Sequence, residues 1–141
     1  MVASVYNRRM PTGPNFLQYL VVGAGGFCGA VARVAVSGAV QRWAPAAVFP
    51  YGTLAVNVGG CLAIGVLGAL AEMHGFLSPR ARLFLVLGFL GSFTTFSTFG
   101  HETMMLALEA RPLAAMANVA AQVVAGLAAC WLGYALVRAL S

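Results

Sequence analysis

The sequence predicts an all-α membrane protein of four transmembrane helices, the third broken partway along, and three observations predict it. Of 141 residues 61% are hydrophobic and only 8% charged, and the mean hydropathy is +0.89. A water-soluble domain carries roughly 25% charged residues, so soluble globular, disordered and fibrous classes are excluded. The apolar residues gather into four runs, each long enough to supply the roughly 20 residues that cross a hydrocarbon core. The centre of the third run, finally, is made of residues that hold a helix poorly.

The first run covers 16–40, interrupted only by Arg33, and the second covers 48–71 without a charge. Pro45 and Pro50 punctuate the link between them. The third is expected at 83–108, opening after Arg82 with Ser78-Pro79 just ahead, and becoming more polar past Phe99. Arg111-Pro112 opens the fourth, 112–137, with proline in a first turn, where its missing N–H costs nothing. Residues 16–141 thus read as one four-helix transmembrane domain behind an N-terminal tail, 1–15. Asn7-Arg8-Arg9 resembles the start of a signal peptide, but the run behind it is too long and has no small-residue cleavage pattern, so the tail is expected to be retained.

Eight Arg and three Glu, with no Lys or Asp, give a net charge of +5. That is too sparse for a nucleic-acid surface, and it suits lipid headgroups and topology instead. Arg8, Arg9, Arg80, Arg82 and Arg138 fall on the N-terminal side, and Arg42 and Arg111 on the other. The positive-inside rule therefore expects a cytoplasmic N-terminus. Without the tail the count is three against two, a bias that permits insertion either way. Cys28, Cys61 and Cys130 lie in apolar runs without CxxC or Cys/His spacing, which supports neither disulfides nor zinc.

Glycine supplies 17 residues. Gly25/Gly29, Gly59/Ala63, Gly65/Ala69 and Gly88/Ser92 follow the small-xxx-small spacing that lets membrane helices approach closely. Polar side chains inside a bilayer are costly, so those within the spans stand out. Thr53 and Asn57 share a face of the second span with Gly60 and Cys61, and Asn118 and Gln122 share one on the fourth with Gly126. These stripes are either interhelical glue or a polar track.

The third run reads Gly91-Ser92-Phe93-Thr94-Thr95-Phe96-Ser97-Thr98-Phe99-Gly100. Branched Thr, competing hydroxyls and flanking glycines weaken the helical ladder, which predicts a break. The alternative is a continuous helix whose hydroxyls bond back to preceding carbonyls. Unwound backbone at membrane depth must be buried or line a cavity, and its free carbonyls suit a hard cation such as Na⁺. Phe96 and Phe99 share a face if the second half is helical. Such pairs are usually core, yet the positive rim of an aromatic ring can meet a small anion without fixed charge. Neutral donors bind weakly enough to let an ion leave again.

Three blocks, Gly25-Gly26-Phe27-Cys28-Gly29-Ala30 with Arg33, Gly52-Thr53-Leu54-Ala55-Val56-Asn57-Val58-Gly59-Gly60, and Gly91 to Phe99, resemble in order and spacing the signature blocks of the CrcB/Fluc family of fluoride ion channels. The resemblance spans about 16–137, and its third block is highly specific. It implies a dual-topology, antiparallel homodimer in a bacterial inner membrane, with two fluoride pores and a structural Na⁺ at the centre. The Na⁺ carbonyls would be those of Gly91 and Thr94. The fluoride pore would use Asn57, Phe96, Phe99, Ser97 and Thr98, with Thr53 on the same stripe as Asn57. Arg33, some 25 Å along the first span, would attract anions to a vestibule or simply snorkel. Asn118 and Gln122 would continue a polar track, although Gln122 departs from the small hydroxyl residue expected there. The implied function is passive, selective export of F⁻, lowering cytoplasmic fluoride.

Three other classes compete, of which a regulatory or scaffold membrane subunit would explain the glycine packing but not the Thr/Phe block. A four-span proton-coupled multidrug exporter would need a membrane-embedded carboxylate, whereas Glu72, Glu102 and Glu109 are read as lying toward helix ends. An intramembrane hydrolase built on Ser97, His101 and Glu102 would need a triad from neighbours on one helix, which rarely attain the geometry. No enzyme chemistry is expected.

Overall fold

The computed structural model describes residues 15–44, 48–75 and 77–141. The expected tail, apart from Asn15, lies outside the described residues, as does Pro45. Helix α1, Phe16–Trp43, starts on a reciprocal cap. The Asn15 Oδ1 accepts from Gln18 N–H at 3.0 Å, and the Asn15 N–H donates to Gln18 Oε1 at 3.1 Å. Helix α2, Tyr51–His74, follows Pro50 and ends at Gly75, whose φ of +59° is the left-handed turn that favours glycine. The third span, Pro79–Leu108, is composite, and α6, Pro112–Leu140, closes the chain. All four are long and apolar enough to cross a membrane.

The helix ends differ from the sequence expectation where capping chemistry outweighs hydropathy. The second helix begins at Tyr51 rather than 48, because Pro50 occupies its N-cap. The third begins at Pro79 rather than after Arg82: Ser78 Oγ accepts from Ala81 N–H at 3.2 Å, and Pro79 fills the first turn. Arg80 and Arg82 are compatible with a helix whose start lies at the membrane edge. Helices α1 and α6 each run three residues further than read from the apolar runs.

Within the third span, α3 (Pro79–Arg82) leads into a π-helical segment, Leu83–Leu90, then α4 (Gly91–Phe93), a break, and α5 (Phe96–Leu108). The break is two residues of extended backbone, Thr94 at φ −77°, ψ 159° and Thr95 at φ −152°, ψ 112°. The expected interruption is therefore present, close to the middle of the span. The π segment was not expected.

Small residues set the packing. A Cβ on Gly25 would meet the Phe84 carbonyl, and one on Gly29 the Phe89 carbonyl, so α1 lies backbone to backbone against the π segment. Gly65 stands likewise against the Cys130 carbonyl, and Gly133 against that of Leu62, joining α2 to α6. Gly59 has open space around it within this chain. The buried core is thin, with Val56, Ala69, Leu90, Leu106 and Ala115, while large side chains such as Phe27 and Trp131 are 72% exposed. Such an inversion suits a solvent of lipid tails.

Candidate functional site

The site begins with the problem that the break creates. Extended backbone at Thr94 and Thr95 strands peptide groups that a helix would pair, and Thr95 is only 8% exposed. Asn57, one turn past Thr53 on α2, resolves it. Its Oδ1 accepts from Thr95 N–H at 2.8 Å, and its Nδ2 donates to the Thr95 carbonyl at 3.1 Å. One side-chain amide thus satisfies both peptide groups of a residue on another helix. The Asn57 Nδ2 also donates to Gln122 Oε1 of α6 at 3.0 Å, tying three spans together.

On the far side of the break, Thr95 caps α5: its Oγ1 accepts from Thr98 N–H at 3.2 Å and donates to Thr98 Oγ1 at 2.9 Å. These bonds remove two donors from the helical ladder. In a continuous helix Thr95 N–H would serve the Gly91 carbonyl, and Thr98 N–H that of Thr94. Here the first goes to Asn57 and the second to Thr95 Oγ1, which releases the Gly91 and Thr94 carbonyls. Thr94 Oγ1 bonds back to the Leu90 carbonyl at 3.0 Å. Gly60 leaves room for the Thr94 methyl, which a Cβ there would strike.

A cavity of about 440 Å³ opens beside the break, and Asn57, Gly91, Thr94, Phe96, Phe99 and Gln122 are among its walls. The Phe96 and Phe99 rings meet edge to face, 5.5 Å between centroids and 61° between planes. Phe96 is nevertheless 83% exposed in the single chain. Of the sequence-expected residues, then, six converge on one space.

The others lie elsewhere. Thr53 is buried, and its hydroxyl donates to Glu102 Oε1 at 2.7 Å. Both line a second cavity of about 450 Å³ with Ser37 and His101, so the Thr53–Asn57 stripe faces two different spaces. Ser97 and Thr98 are exposed and line neither cavity. Arg33 is half-buried on α1 and also apart from both. Asn118 is fully buried, its Nδ2 donating to Thr103 Oγ1 at 2.9 Å, while Thr103 donates to the Phe99 carbonyl at 2.8 Å.

Sequence reading missed two of these partners. Thr103 carried no visible signal, since its value comes from Asn118 across the α5–α6 contact. Glu102 was set aside as a helix-end residue, but it lies inside α5 with its Oε2 buried. Three buried polar atoms have no partner among the described residues: Glu102 Oε2, Asn118 Oδ1 and Gln122 Nε2. Clusters of His, Cys, Asp and Glu able to hold a metal are absent among the described residues; the hard oxygens near the break are peptide carbonyls, hydroxyls and side-chain amides.

Comparison with known proteins adds an independent finding. The family described as "CrcB-like protein, Camphor Resistance (CrcB)" matches residues 20–134. A fluoride-specific ion channel FluC of Methylobacillus flagellatus is 44% identical over 121 residues, covering 86% of this chain and 94% of the relative. One of Nitratidesulfovibrio vulgaris (strain Miyazaki F) is 43% identical over 114 residues, covering 81% and 91%. The fluoride-specific ion channel FluC 2 of Rubrobacter xylanophilus is 46% identical over 119 residues, covering 83% and 79%.

Proposed function

The chain belongs to the CrcB-like family of fluoride-specific ion channels, and from that premise we propose how its residues pass the ion. It is a multi-pass fluoride channel and not an enzyme. The exporter alternative is set aside on family membership; the missing carboxylate no longer argues against it, since Glu102 lies within the third candidate span.

Fluoride moves as the free ion, down its electrochemical gradient and out of the cytoplasm. Hydrogen fluoride enters through lipid in acid surroundings and dissociates inside, and a negative-inside potential, worth about 2.3 kcal/mol per charge per 100 mV, drives the anion back out. The path runs along Asn57, Phe96 and Phe99, with the hydroxyls of Ser97 and Thr98 on the exposed face of α5 and Thr53 toward the second cavity. Asn118 and Gln122 extend the polar track, and Arg33 draws anions to a vestibule. Neutral donors and ring edges fit such a path because they lower the cost of dehydration without trapping the ion.

The carbonyls of Gly91 and Thr94 would hold a structural Na⁺. What supports the fit is that both have lost their helical donors, leaving oxygen ligands of the kind hard cations take. The cation would supply fixed charge that braces the unwound backbone. A second copy, packed antiparallel, would cover the exposed Phe96 ring and complete the cation shell. The near-balanced arginine count agrees with such dual insertion. The bacterial sources of the relatives and the four candidate spans support a bacterial inner membrane.

The single observation that carries this reading is the break at Thr94–Thr95, with its carbonyls released beside the Phe96–Phe99 pair and the Asn57 amide. Fluoride efflux from liposomes containing the purified chain, followed with a fluoride electrode, tests it. Phe96→Ile removes the ring edge, and Asn57→Asp puts an acceptor where Thr95 and Gln122 need a donor. Both are expected to slow efflux at least about tenfold, since each removes contacts to a charged group or its scaffold. Rates unchanged in both variants would overturn the pore assignment.

A further inference from the structure

Three contacts set α2 and α6 side by side and running the same way. The Asn57 amide meets Gln122. One turn on, a Cβ on Gly126 would come 3.4 Å from the Cys61 Sγ, and one turn further Gly65 lies against the Cys130 carbonyl. A glycine thus stands opposite each cysteine, Gly126 facing Cys61 and Gly65 facing Cys130. With no side chain between them the backbones close up, and the two cysteines fall on successive turns of one seam. Side chains on a helix lean toward its N-terminus, which carries the Cys130 sulfur back toward the level of Cys61. The two are near enough to interact electrostatically; both are half-buried, and neither is in a disulfide. Cys61 also lines the cavity beside the break, so the pair is not sealed inside protein.

The donor set selects the ligand. Zn²⁺ takes four ligands, and groups of three or more His, Cys, Asp or Glu are absent among the described residues. Two thiols without further donors are soft ligands, and cations such as Cu⁺, Ag⁺ and Hg²⁺ are satisfied by two sulfurs in line. The cavity wall around Cys61 includes the apolar Ile64, Val86 and Val123, which offer such a cation no competing hard oxygen. We propose that Cys61 and Cys130 form a two-thiol site for a soft cation of the Cu⁺, Ag⁺ and Hg²⁺ class, clasped across the α2–α6 seam one turn beyond the Asn57–Gln122 link. Loading with mercuric chloride is a balanced exchange. One HgCl₂ and two thiols give one S–Hg–S bridge, two protons and two chloride ions, and neither oxidant nor reductant is required. Neutral HgCl₂ also enters apolar surroundings that would reject a bare cation. Cys28, exposed on α1, has no part in the seam.

Intact mass tests the site. The full chain carrying Cys28→Ser, which removes the third thiol, is given one equivalent of HgCl₂ in detergent, then a small excess of glutathione, and is weighed without digestion. The expected product has gained one mercury, lost two hydrogens and taken up no glutathione. The single-thiol proteins C28S/C61S and C28S/C130S cannot close the bridge, and each is expected either to carry its mercury joined to a glutathione or to lose the metal. Elution at the wild-type volume establishes that a variant folds, and either single-thiol protein suffices should the other aggregate. Mercury joined to glutathione on the C28S protein, two mercury atoms on it, or none, overturns the proposal. So does a single-thiol protein that keeps mercury free of glutathione. The readout is mass alone, so the result stands apart from the fluoride-pore reading.

Discussion

At the scale of single residues, the site is governed by which donor meets which acceptor. Thr53 illustrates it: a buried hydroxyl donating to Glu102 Oε1 at 2.7 Å holds a carboxylate whose other oxygen has no protein partner among the described residues. Thr53→Val, nearly the same shape, leaves that carboxylate oxygen without its donor. The expected loss is about 1–3 kcal/mol, read as a lower melting temperature in detergent, and an unchanged melt would mean that water fully replaces the hydroxyl. The sequence displayed Thr53, Asn57, Asn118 and Gln122 as polar groups in apolar runs, because a bilayer makes such groups conspicuous. Their partners were not legible. Asn57 binds Thr95, 38 positions along the chain, and Gln122, 65 positions along, and one-dimensional spacing contains no trace of either pairing. Glu102 was misjudged for a related reason, since distance from a helix end measured along the sequence says nothing about what the opposing helix offers.

At the scale of elements, the break and the π segment differ in how they are encoded. The Thr94–Thr95 interruption was legible because branched and hydroxyl-bearing residues weaken a helix locally, and Thr95 then serves as the cap of the helix that follows. Leu83–Leu90 carries no such mark: it is an apolar run that would suit an α-helix equally well. Its widened winding accompanies the close approach of α1, where Gly25 lies against the Phe84 carbonyl and Gly88 against that of Val22. π-Helical turns often adjoin functional sites, and this one ends at Leu90, one residue before Gly91, where the released carbonyls begin. Gly25→Ala puts a methyl group against backbone that cannot swing aside, with the Gly88 Cα at 3.1 Å. A destabilisation of about 1–3 kcal/mol is expected, whereas Gly68→Ala, with open space around it, is expected to melt at or slightly above wild type. Equal melting of the two variants would contradict the backbone-to-backbone packing.

At the scale of the whole molecule, four spans were plain from hydropathy alone, because crossing lipid demands length and apolarity that nothing else in a chain of this composition would supply. A single chain leaves Phe96 83% exposed and its core thin, and the proposed second copy against the break would cover that ring; in the sequence, the near-balance of arginines and the family resemblance pointed to such a pairing. In the proposed pore, a broken helix, its freed carbonyls and a set of neutral donors together form a path for one small anion. The most direct measurement is therefore halide selectivity: wild-type chain in liposomes loaded with equal fluoride and chloride, each followed by its own electrode after the potential is released. Fluoride is expected to leave rapidly while chloride stays trapped on the same time scale. Equal efflux of the two halides would contradict the account.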